Sequence, residues 1–110
     1  MKQRLRELCE LTGVSGREET VRTYILDALK TFPTEKEIVV DALGNVICYL
    51  KGAARPQKKI MLTAHMDEVG LIITHVTEDG YLRFAPVGGI DNAVLCGARV
   101  KTGEICGVIG

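Results

Sequence analysis

The run Ile60-Met61-Leu62 constrains the fold of this chain more than any other stretch. It is apolar without the polar alternation of a half-exposed strand. Within Lys58 to Ala64 it therefore reads as a strand covered on both faces, the position of an interior strand in an α/β layer. Elements on either side must supply that cover.

The segments before it are helical. Leu5, Leu8, Cys9 and Leu11 recur at helical spacing, which predicts a short amphipathic helix over residues 3–12. Gly13-Val14-Ser15-Gly16 interrupts it. Ser15 followed by Glu18 reads as a capping box, each side chain satisfying a backbone N–H at the start of a second helix. That helix runs to about Lys30, with Val21, Tyr24, Ile25, Ala28 and Leu29 on its buried face, and Pro33 stops it. The pattern then turns to strands. Glu37 to Ala42 and Val46 to Lys51 flank Leu43-Gly44-Asn45 as a hairpin, and a polar loop from Gly52 to Gln57 leads to the apolar run. Beyond Ala64 come Val69 to Val76, a Glu78-Asp79-Gly80 turn and Tyr81 to Val87. A loop opens at Gly88-Gly89, with a turn near Asp91 to Leu95. Ala98 to Lys101 and Glu104 to Ile109 form a last hairpin around Thr102-Gly103.

Helices followed by strands with no helix among them suggest two structural units rather than one uniform layer. The boundary is expected near Glu68 to Gly70. The sequence stops at Ile109-Gly110, directly after an apolar strand, so a longer parent is expected.

Composition narrows the function classes. With 110 residues, 46% hydrophobic and 25% charged, the chain matches a globular domain. Lys plus Arg and Asp plus Glu both total 14, so the net charge is zero and the basic surplus that holds nucleic acid is absent. The first residues are charged rather than signal-like, and no apolar run approaches the length of a membrane span. Cys9, Cys48, Cys96 and Cys106 form no CxxC pair and read as reduced packing residues of a cytoplasmic protein.

The strongest chemical signal is Thr63-Ala64-His65-Met66-Asp67-Glu68, at the C-terminal end of the expected interior strand, where ligand crevices form in open α/β sheets. In extended chain His65 and Asp67 leave the same face. A neutral imidazole could bind a divalent metal through one ring nitrogen while the carboxylate fixes the other. Zinc needs three or four ligands, and this stretch supplies one or two. On spacing alone, a histidine and an acid at a strand end, hydrogen-bonded to backbone or solvated, explain the motif better than a metal site does. Glu68 faces the other way, which argues against it as a catalytic base. His75 reads as a solvated or core-edge histidine. Gly88-Gly89 lacks phosphate-loop spacing, and neither a Gly-x-Ser-x-Gly elbow nor a cysteine nucleophile with its partners appears.

Several separate motifs stand together in one order. These are Leu11-Thr12-Gly13-Val14-Ser15-Gly16-Arg17-Glu18-Glu19, Asp41-Ala42-Leu43-Gly44-Asn45 and Ala64-His65-Met66-Asp67-Glu68-Val69-Gly70. They continue as Asp79-Gly80-Tyr81-Leu82-Arg83-Phe84, Pro86-Val87-Gly88-Gly89-Ile90-Asp91 and Gly107-Val108-Ile109-Gly110. Over its whole length the chain resembles the glutamyl and leucyl aminopeptidases that assemble into tetrahedral particles, some of which bear the name endoglucanase.

The resemblance implies a metal-dependent peptidase (a hydrolase) removing N-terminal residues from peptides by way of two divalent ions, zinc or cobalt. It makes His65 a metal ligand and Asp67 the carboxylate that orients it. The general base, the bridging aspartate and the other ligands would lie beyond Gly110, in a missing C-terminal part of the same polypeptide, leaving the fragment alone inactive. It implies an α/β fold: residues 1–68 as the incomplete N-terminal segment of a phosphorylase/hydrolase-like catalytic domain, and 69–110 as the first half of an inserted β-barrel-like dimerisation domain. Leu71, Ile73, Leu82 and Phe84 would be core residues there. Partners would be peptide substrates and further copies of the chain, dimers building a dodecamer, with neither nucleic acid nor membrane. The alternatives are a non-catalytic assembly module and, last, a glycoside hydrolase, which needs two carboxylates flanking a sugar bond.

Overall fold

The computed structural model describes residues 1–52 and 58–110. Helix α1 spans Lys2–Glu10 and α2 spans Glu19–Lys30. The strands are β1 (Lys36–Val40), β2 (Val46–Leu50), β3 (Gly70–Val76), β4 (Leu82–Val87), β5 (Arg99–Thr102) and β6 (Ile105–Val108), with a single 3₁₀ turn at Asn92–Val94. Each strand pairs antiparallel with its neighbour in sequence, giving three two-stranded ribbons. The chain divides into two compact units, Met1–Glu68 and Val69–Gly110.

In the first unit α1 and α2 are joined by the Tyr24 hydroxyl, which donates to the Glu7 carboxylate. That bond holds the Glu7 carboxyl below its usual range and pushes the Tyr24 phenol up. The expected cap at the start of α2 is not formed by Ser15. Glu18 occupies the N-cap without a side-chain cap bond, and its carboxylate instead accepts from the Gly16 N–H at 2.6 Å. Of the side chains expected on the buried face of α2, Val21 is buried at 6% exposure, while Tyr24, Ile25, Ala28 and Leu29 are half-buried.

The β1–β2 ribbon runs in register from Lys36 opposite Leu50 to Val40 opposite Val46. Asp41 organises its turn. Oδ1 accepts from the Leu43 and Asn45 N–H groups, both at 2.9 Å, and Oδ2 accepts from Asn45 Nδ2 at 2.8 Å. Gly44 sits at φ 85°, where a Cβ would be strained. The Asn45 amide, followed by the backbone donors, lowers the Asp41 carboxyl from its ordinary 3.8. Unfolded chain therefore binds the proton first. The carboxylate's contribution to the hairpin is complete above about 3.8 and is lost as pH falls through the lower folded value. The Leu43 and Asn45 amide resonances should hold constant down to that range and move only below it. The Asp41→Asn variant should lack the acid step, and a step already complete near pH 5, more than a unit above the ordinary aspartate value, would contradict this account of the turn.

Lys58 to Ala64 departs from expectation. No described residue pairs with it, and Ile60, Met61 and Leu62 are 88%, 85% and 91% exposed. A strand buried on both faces exists only where strands lie beside it and layers cover it, and among the described residues none does. Of the expected loop from Gly52 to Gln57, residues 53–57 lie outside the described residues.

In the second unit β3 pairs with β4, with a bulge between Ile73 and His75. The bulge breaks the alternation that would have put His75 on the face of Ile73. Leu71 is half-buried, but Ile73, Leu82 and Phe84 are exposed and do not form the expected core. Two strands alone offer a face and no layer to bury it. Ile109 is the buried apolar side chain here. Its backbone exchanges bonds with Gly97 N (2.8 Å) and Ala98 O (3.0 Å). All four thiols are free. Cys9, Cys96 and Cys106 are exposed and Cys48 is half-buried, so the packing role expected of them is not realised.

Candidate functional site

Residues 64–68 are held by the segment before α2. Val14 and Glu68 form an isolated parallel bridge. The Glu68 N–H donates to Gly13 O at 2.8 Å, and the Ser15 N–H donates to Glu68 O at 3.3 Å. The Glu68 carboxylate turns to the same segment and accepts from the Gly13 N–H at 3.0 Å. Glu68 is thus a clamp on residues 13–15, pointing away from His65, in keeping with the alternation argument against it as a base.

Gly13 fits this clamp because it lacks a side chain. A Cβ there would lie 2.7 Å from Val21 Cγ2 and 3.4 Å from Met66 O.

On the other face, His65 Nδ1 lies 3.0 Å from Asp67 Oδ1 and 2.9 Å from the Asp67 carbonyl oxygen. The second carboxylate oxygen, Oδ2, accepts from the Ser15 hydroxyl at 2.6 Å. That hydroxyl is the main cause holding the Asp67 carboxyl below its usual range. Burial opposes the shift, and the His65 ring adds to it. The carboxylate stays ionised and can only accept, as can the carbonyl. Nδ1 faces two acceptors and must carry the proton. In the neutral ring this leaves the lone pair on Nε2, and the His65 side chain is 85% exposed.

A cleft of about 160 Å³ borders these residues, lined by Glu18, Arg22, Leu43, Gly44, Asn45, Ala64, His65, Met66 and Asp67. The Arg22 guanidinium donates to Gly44 O at 3.4 Å, tying α2 to the β1–β2 turn on the cleft's rim. Among the described residues no group of three or more His, Cys, Asp and Glu could hold a metal ion. The donor set therefore fits one corner of a metal site, an imidazole with its tautomer fixed, and not a complete site. His75 has neither carboxylate nor thiol arranged with it in such a group.

Ser15 is the residue that the spacing did not reveal in this role. Its local signal, a hydroxyl three residues before a glutamate, is that of a helix cap. Its actual partner is 52 positions away. Among the described residues, no helix is long and apolar enough to cross a membrane.

The sequence pattern of the M42 glutamyl aminopeptidases matches residues 44–110, more than half of the chain. A lysyl aminopeptidase of Pyrococcus furiosus is 39% identical over 111 aligned positions, covering 96% of this chain and 31% of that protein. A crystal structure named endoglucanase, from Thermotoga maritima, superposes with a TM-score of 0.85 at 38% identity, over 96% of this chain and 33% of that one. PhTET1-12s, solved as a dodecamer, superposes with a TM-score of 0.77 at 40% identity, over 90% of this chain and 28% of that one. The chain spans about a third of the length of the relatives it matches. Mixed helix and strand, similar in fold to these structures and carrying the family's pattern across its second half and beyond, the chain belongs to the M42 glutamyl aminopeptidase family.

Proposed function

We propose that this chain is the N-terminal portion of a dinuclear metal-dependent aminopeptidase, in which His65 supplies one metal ligand and Asp67 orients it. The observation that carries the reading is the bond between Asp67 and His65 Nδ1, which leaves Nε2 as the nitrogen with a free lone pair. A carboxylate behind a ligating imidazole fixes its tautomer and raises its basicity. When bound, two divalent ions, zinc or cobalt, would activate a water toward the scissile carbonyl. The proton acceptor and the remaining ligands come from sequence outside this chain, since Glu68 is committed to Gly13.

Residues 1–68 are then the start of the catalytic domain, and 69–110 the start of an inserted β-rich domain through which copies of the protein associate. The dodecamer seen for PhTET1-12s supports that association. The four free thiols suit the reducing cytoplasm. The relatives' names give different preferred residues, glutamyl and lysyl, so the substrate class is peptides with a free N-terminus. The endoglucanase name on one similar structure raises glycoside hydrolysis as a second reading. Asp67 and Glu68 are adjacent and turn to different partners, Asp67 to Ser15 and His65 and Glu68 to Gly13, instead of flanking one bond as that chemistry requires.

The test is completion. The 110-residue chain alone, with zinc or cobalt, should not turn over aminoacyl chromogenic substrates. Completed with the part of the Pyrococcus furiosus enzyme outside the matched stretch, it should hydrolyse them and leave soluble cellulose derivatives intact. Metal-dependent turnover by the chain alone, or glucan cleavage by the completed protein, would sink the reading.

A further inference from the structure

We infer that Ser15 is a positioning residue for the His65 imidazole, acting through Asp67. The relay is fully connected. The Ser15 hydroxyl donates to Asp67 Oδ2 at 2.6 Å, and Asp67 Oδ1 accepts from His65 Nδ1 at 3.0 Å. With one partner on each oxygen, rotation of the carboxylate about its own axis breaks both bonds at once. The Asp67 side chain is 42% exposed, so without Ser15 water would compete for Oδ2 and little would fix the carboxylate plane.

The hydroxyl is itself held in place by main chain. Ser15 N–H to Glu68 O, Glu68 N–H to Gly13 O and Gly13 N–H to the Glu68 carboxylate anchor residues 13–15 beside 67–68. None of these bonds uses the Ser15 side chain. Removing the hydroxyl therefore removes the orienting bond and leaves the clamp. Outer partners of a ligating histidine set its tautomer as the nearer carboxylate does, and Ser15 extends that chain by one residue. The value of this positioning for catalysis rests on the metal-ligand role proposed above, whereas the relay itself is a property of this chain.

The experiment reads the tautomer directly, by nitrogen-15 NMR of the imidazole rings of the 110-residue chain in alkaline buffer. His75, the chain's other histidine, serves as internal reference. In the unsubstituted chain the His65 Nδ1 resonance is expected in the protonated, pyrrole-like range. Ser15→Ala should move it part of the way toward the pyridine-like range, because the Asp67 carbonyl oxygen at 2.9 Å is then the one fixed acceptor that still favours Nδ1–H. His75 and the Gly13 and Glu68 amide resonances should stay in place, and Ser15→Thr should restore the Nδ1–H signal. An unchanged His65 tautomer in Ser15→Ala overturns the inference. So does a change accompanied by displacement of the Gly13 and Glu68 amides, which would make Ser15 a structural residue only. Because no metal is present, the result is independent of the peptidase reading. That reading fails separately, if His65→Ala leaves the completed enzyme's metal content and activity intact.

Discussion

His65→Ala in the completed enzyme should lower kcat by on the order of 10³-fold, with loss of bound metal measured by elemental analysis. A metal that activates water and polarises a carbonyl stabilises the transition state by several kcal/mol, and each 1.36 kcal/mol is about tenfold in rate. His65 is the one imidazole in the first unit, and its Nε2 is the only ring nitrogen there that Asp67 leaves with a lone pair. Asp67→Asn should cost less, roughly 10–100-fold, because it disturbs the orientation of the His65 imidazole without removing the ring. Asparagine can present its NH₂ to the ring and favour the wrong tautomer, so metal affinity should fall along with rate. A His65→Ala enzyme within tenfold of the parent would remove the chemical basis of the assignment.

The second large effect is on stability and centres on Gly13 and Val21. Gly13→Ala puts a methyl 2.7 Å from Val21 Cγ2, closer than carbon atoms tolerate. Overpacking of this kind costs about 1–3 kcal/mol. Val21→Ala empties part of the one apolar side-chain position that is buried among the described residues of the first unit, at about 2 kcal/mol for the lost methyl groups and the space they leave. The two substitutions act on the same contact, so the double variant should be more stable than their sum requires, by about 1 kcal/mol. Urea unfolding of the four proteins measures this. Strict additivity would mean that Gly13 does not press on Val21 of α2.

Local structure was legible where the forces are local. Both helices follow from apolar spacing, and the second ends before Pro33. The three hairpins follow from apolar runs around turn residues: Gly44, Gly80 and Gly103 all sit at positive φ, where a side chain would be strained. The nearness of His65 to Asp67 follows from the two-residue period of extended chain, and the same period turns Glu68 toward Gly13. Family membership was legible because many short motifs stand in order. A single His-x-Asp could not have carried it.

What the tertiary structure alone decided is long-range. Ser15 carries a capping signature, yet its hydroxyl bonds a carboxylate 52 residues on, because backbone pairing of Gly13 and Ser15 with Glu68 brings the two segments side by side. Local propensity favours the nearest partner, whereas the fold selects an ionised acceptor, a stronger one. The run Ile60-Met61-Leu62 shows the converse. Its composition demands burial on both faces, but burial belongs to neighbours rather than to the segment, and no described residue provides it. Sequence thus determined the two helices, the three hairpins and the pairing of two side chains, but not the expected strand from Lys58 to Ala64. Which distant groups meet, and which apolar faces are covered, depended on contacts that no local period encodes.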